Sequence, residues 1–194
     1  STPLLVPSNV DEVSSEMLSN VFNCIEDILT NTLLPSFVCL QINGASLWQL
    51  LQKFDYVFRF RVYHAWGRMM KHTSFPQLTR IGSEARLKVR GMMKRMTDSS
   101  IKETGRPLCK SGNSFPIILS DLIGNLVFNN FVQPLAENMR YLSDISMDVL
   151  IYACLDAAVN MPPSAYSHLA NVATFITTVY KLYYERLDIV PLPD

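Results

Sequence analysis

The chain is poor in residues that break helices and poorer in groupings that perform chemistry. Only seven glycines occur in 194 residues. None falls in a GxGxxG or GxxxxGK[ST] arrangement, so no phosphate-cradling loop is written into the sequence. The stretch CKSGNS at 109–114 resembles such a loop superficially, without its spacing or a preceding strand. Cys24, Cys39, Cys109 and Cys154 stand far apart, with no CxxC or Cys/His cluster, which points to neither a zinc site nor a disulfide framework. Three of the four sit in apolar patterns, where a reduced buried thiol is expected. Asn-x-Ser/Thr is also missing, and together these absences fit a reducing compartment, cytosol or nucleus. No apolar run approaches the roughly 20 residues that span a bilayer. The opening STPLLVPSNVDE lacks the basic region of a secretory signal.

Catalytic groupings are equally scarce. His64, His72 and His168 are the three histidines. The first two lie in a basic region, where like charge disfavours both protonation and a metal cation. Asp144, Asp148 and Asp156 have the spacing of an acidic, solvated helix face. No catalytic, metal or cofactor site is expected, nor a small-molecule substrate; the chain reads as a non-enzyme.

What is present is helix. Apolar residues make up 48% of the chain, spaced at three and four along most of it. The spacing predicts helices over 11–30 (Val13, Met17, Val21, Ile25, Ile28 and Leu29 on one face), 47–54 capped by Ser46, 56–73, 76–97, 116–128, 131–143, 146–160 and 164–187. Pro35 limits 32–42 to a brief helix or turn. The expected fold is all-α, an irregular helical-repeat (α-solenoid-like) array of about eight helices. Residues 1–194 read as one segment, with any sub-boundary expected in the Gly-, Ser- and Pro-containing loop 98–114. Because the chain begins without Met and ends in VPLPD after an apolar helix, it is expected to be a piece of something larger.

Charge is unevenly spread. Residues 59–110 carry 13 of the 17 Lys+Arg and only three acids (Glu84, Asp98, Glu103), a local balance of +10 against −10 elsewhere. Arg61, His64, Arg68 and Lys71 follow one exposed stripe of helix 56–73. Arg86, Arg90 and Lys94 repeat every four residues on the next helix, and Arg106 and Lys110 follow in the loop. Three readings follow from such a patch: contact with nucleic-acid phosphates, capture of an acidic protein surface, or pairing with the chain's own acidic ends. The interleaved aromatics Phe58, Phe60, Tyr63 and Trp66 mostly fall on the inward face, which favours backbone tracking over base stacking.

Several ordered elements carry a resemblance. They are Leu47-Trp48, then Phe54 and Tyr56, Arg59 or Arg61, and Tyr63 with Trp66; Lys94–Thr97; Gly105-Arg106; Lys110 to Pro116 leading into Ile118–Asp121; and Leu142, Ile145, Asp148, Val149, Leu150 and Tyr152. In order and spacing, over roughly residues 46–160, they resemble the family of the largest subunit of the THO complex. One departure is Phe54-Asp55-Tyr56, where the family pattern is Phe-Pro-Tyr. The resemblance implies a non-enzymatic nuclear scaffold, a fragment of a long helical-repeat middle region. It implies other THO subunits and a DEAD-box RNA-dependent ATPase of mRNA export as partners, in machinery coupling transcription to mRNA processing. It brings no membrane and no cofactor. The alternative is a direct RNA- or DNA-binding helical domain that uses the basic stripes.

Overall fold

The computed structural model describes residues 9–36, 40–72, 76–94, 114–126 and 129–187. Among them no strand occurs, so the chain is all-α as expected. Eight principal helices follow one another: α1 (Asn9–Ile28), α2 (Leu40–Leu51), α3 (Tyr56–His72), α4 (Pro76–Met93), α5 (Phe115–Gly124), α6 (Val132–Asn138), α7 (Asp144–Asn160) and α8 (Tyr166–Tyr183).

A helix that is apolar all round needs other helices on every side, and α7 is that helix. Every residue from Ile145 to Ile151 is buried, as are Ala153 and Cys154. Around it lie α2, α3, α5 and α8. Its start is fixed by Ser143, whose Oγ accepts the Ser146 backbone N–H, with Asp144 on the electropositive first turn. A second buried helix, α5, lies against α7, α3 and α4 and encloses Phe115 to Leu119. The other end of the array is α8, which packs on α6. There the Tyr183 hydroxyl donates to the Ala136 and Glu137 carbonyls, and His168 Nε2 lies 2.8 Å from the Ile123 carbonyl.

The start of α3 explains the departure at position 55. Asp55 Oδ1 accepts the Phe58 N–H at 2.7 Å, an N-cap. Proline starts a helix by pre-setting φ, and a capping carboxylate does the same task by another route.

Three local expectations are corrected. First, no break follows α1: a π turn (Leu29–Leu33) leads directly into the brief helix Leu34–Ser36 that Pro35 allows. Second, α2 begins at Leu40, so Ser46 lies inside it rather than capping it. Gly44, Leu47 and Leu51 then share the buried face, and Leu50 falls on the flank at 40% exposure. Third, Met17, Val21 and Ile28 of α1 are exposed while Leu29 is buried, and Ile81 of α4 is exposed too. Periodicity marks an apolar face; it does not say that another helix covers it.

Candidate partner-binding surface

The basic region divides into cations used inside the fold and cations left outside it. Arg59 and Asp148 belong to the first set, at 2% and 8% exposure. Arg59 Nε donates to Asp148 Oδ2 at 2.9 Å, and Nη2 to Oδ1 at 3.3 Å. The Tyr63 hydroxyl donates to the same Oδ2 at 2.8 Å, and Arg59 Nη1 donates to the Phe54 carbonyl. The guanidinium also lies over the Trp48 ring, 5.3 Å from its centroid. Thus α2, α3 and α7 meet on one buried ion pair. Burial, and then the Asp148 charge, push the Tyr63 phenol well above its usual range, so it stays a donor. Asp148 is therefore no part of a solvated acidic face; that expectation is corrected.

A second internal site joins α4 to α5. Arg90 Nε and Nη2 bind the two oxygens of Asp121 at 2.8 and 2.9 Å, and Arg86 Nη2 reaches Oδ1 at 3.2 Å. Asp121 is buried while both arginines are about half exposed. The stripe Arg86, Arg90, Lys94 is thus partly spent on one carboxylate, and only Lys94 of the three has no acidic partner among the described residues.

On α3, Arg61 pairs with Glu26 of α1. His64 Nδ1 lies 3.0 Å from the Tyr152 hydroxyl and 4.0 Å from Asp156 Oδ1. Arg68 and Lys71 are exposed and meet no carboxylate among the described residues; the same holds for Lys88 of α4. A cleft of about 660 Å³ runs between α1 and α3, with Glu26, Asp27 and Thr30 on one wall and Arg61, His64 and Arg68 on the other. Arg106 and Lys110 lie outside the described residues, as does the side chain of His72.

Sequence reasoning missed the three internal partners Glu26, Asp121 and Asp148. For the last two a signal was present. Each is a lone carboxylate inside an almost continuously apolar helix (PIILSDLIG, ISMDVLIYACL), where a charge must find a partner.

Among the described residues no group of three or more His, Cys, Asp and Glu is placed to hold a metal. No helix of those residues is long and apolar enough to cross a membrane. Cys154 is buried, and burial raises its thiol far above the usual range, away from nucleophilic chemistry. Arg68, Lys71 and Lys88 lie exposed on the outside of packed helices.

No protein-family profile matches the chain. It is 27% identical over 176 residues to THO complex subunit 2 of Homo sapiens, covering 84% of this chain and 11% of that protein. The mouse protein matches over the same shares. THO complex subunit 2 of Arabidopsis thaliana is 26% identical over 150 residues, 75% of this chain. The chain is similar to THO complex subunit 2 along most of its own length. It spans about a tenth of the length of the curated relatives it matches. The resemblance read from ordered motifs is therefore borne out, and over a wider share of the chain than those motifs occupy. Arg59, Tyr63 and Asp148, three of the motif residues, are the ones that meet in the buried network.

Proposed function

We propose that this chain is a non-enzymatic scaffold segment of a THO-type nuclear complex, a helical-repeat piece of a larger protein that holds other subunits and engages a DEAD-box RNA-dependent ATPase in coupling transcription to mRNA processing and export. The observation that carries this reading is the division of the cations. Arg59, Arg61, Arg86 and Arg90 are tied to Asp148, Glu26 and Asp121, whereas Arg68 and Lys71 on α3, Lys88 on α4 and Lys94 just past its end remain exposed. Similarity to THO complex subunit 2 supports complex membership. Rigid, packed helices with a charged exterior suit a protein interface, where complementary charge sets orientation and association rate. The test compares activity of the cognate ATPase with the full scaffold and with a scaffold lacking this segment. Loss of stimulation supports the reading, and full stimulation without the segment refutes it.

The same free cations favour one second reading, direct contact with RNA phosphates. Salt dependence separates the two. Single-stranded RNA binding weakens with a slope near −0.7 per phosphate contacted, and a protein interface with rim charges responds less. The informative variant is Arg68→Glu with Lys71→Glu. Changing Arg86 and Arg90 to Glu would place new carboxylates against buried Asp121 and confound binding with misfolding.

A further inference from the structure

Helix α3 lies against the first turn of α5, with Gly67 facing Pro116. A Cβ there would sit 3.7 Å from Pro116 Cβ, and a longer side chain would project into the gap. Beside this contact, where α3, α5 and α7 converge, lies a notch of about 50 Å³ lined by His64, Arg68, Lys71, Ser120, Tyr152 and Asp156. Its charge is unbalanced. Arg68 and Lys71 have no acidic partner among the described residues, and the one carboxylate of the lining, Asp156, accepts from Asn160 at 3.0 Å and lies 4.0 Å from His64 Nδ1, so two cations face one anion. The Ser120 hydroxyl is a further donor, and the Tyr152 hydroxyl lies 3.0 Å from His64 Nδ1. Burial, and then Asp156, raise the Tyr152 phenol, so it remains protonated.

These groups select a small anion. A fork-shaped guanidinium, an ammonium and the Ser120 hydroxyl lining one notch supply more donors than a planar carboxylate uses. A phosphate monoester, with three acceptor oxygens and nearly two charges, matches them.

Two features separate a single phosphate from a phosphodiester chain. The aromatic at the notch, Tyr152, packs against Phe60 and Tyr63 with ring centroids 5.7 and 6.0 Å away, and so presents no open face for base stacking. On the other side of Arg68, the neighbouring cleft sets Glu26 against Arg61 and Asp27 against Asn31, so it offers no second unmatched cation for the next phosphate of a polymer. We propose that the notch formed by His64, Arg68, Lys71, Ser120 and Tyr152 receives a phosphoserine or phosphothreonine side chain of a partner protein.

The experiment is an amide-resolved NMR titration of the chain with O-phospho-L-serine, with serine and a short oligouridylate as separate arms. The proposal expects saturable shifts at Gly67, Arg68 and Ser120 with phosphoserine and none with serine. Arg68→Gln with Lys71→Gln should weaken binding by at least about tenfold at an unchanged unfolding midpoint, because both side chains are exposed. Gly67→Leu should block the notch by a different route. No saturable shift, equal binding by the Gln variant, or tighter binding of oligouridylate at these amides would each overturn it. The ATPase takes no part in this measurement, so its result is independent of the proposed function.

Discussion

Arg59 and Asp148 are 89 residues apart in the chain and 2.9 Å apart in the fold. The pair joins the first strongly basic helix to the central apolar one and is completed by Tyr63, Phe54 and Trp48. Such a pair earns little by replacing hydrophobic contacts, but losing one partner strands a buried charge. Asp148→Ala is therefore expected to cost about 3–5 kcal/mol, read as a lower urea midpoint. Arg59→Met combined with Asp148→Leu should recover most of that loss. Additive losses in the double variant would show that the pair is not a unit.

The glycines give a matched contrast. A Cβ on Gly44 would lie 3.0 Å from Ile145 Cγ2 and 3.3 Å from Ser143 Oγ, at the contact of α2 with α7. Gly44→Ala should destabilise by about 1–3 kcal/mol through overpacking. Gly124, at the exposed end of α5, meets nothing within 4 Å and has no positive φ. Gly124→Ala should stabilise by about 0.4–1 kcal/mol by reducing the freedom of the unfolded chain. Thermal unfolding of the two variants should move in opposite directions.

Thiol chemistry should follow burial. Cys24 is exposed and Cys154 is buried with its thiol raised. Alkylation followed by peptide mapping should label Cys24 in the native protein and Cys154 only after unfolding. The same shift sets a pH dependence. Cys154, Tyr63 and Tyr152 all hold their protons more tightly folded than unfolded. Above the ordinary thiol range near pH 8.5, the unfolded state releases protons that the native state keeps. Stability should then fall as pH rises, and a flat profile from pH 8 to 11 would contradict these assignments.

How much of this was legible depends on how far apart the cooperating residues lie. The range of α3 and the C-terminal end of α7 follow from spacing, while the caps Asp55 and Ser143, signals within one turn that spacing does not use, fix where α3 and α7 begin. The start of α2 was not legible, because Ser46 has a capping side chain that the helix runs past, with Gly44, Leu47 and Leu51 turned inward. The charge asymmetry was visible as a count, but its meaning was not. Asp121 meets Arg86 and Arg90 across 35 and 31 residues, and Glu26 meets Arg61 from another helix. Local patterning carries no such distances. The exposed face of α1 stayed hidden for the same reason: a period of 3.6 identifies the stripe, not its cover.

The central claim is that Arg68 and Lys71 are left free to meet a protein partner. Calorimetric titration of the cognate ATPase into the chain, beside the variant with Arg68→Glu and Lys71→Glu, tests it most directly. The account predicts binding that the variant weakens at least about tenfold, with an unchanged unfolding midpoint. Equal affinity for the ATPase in both proteins, or no binding to either, would contradict it.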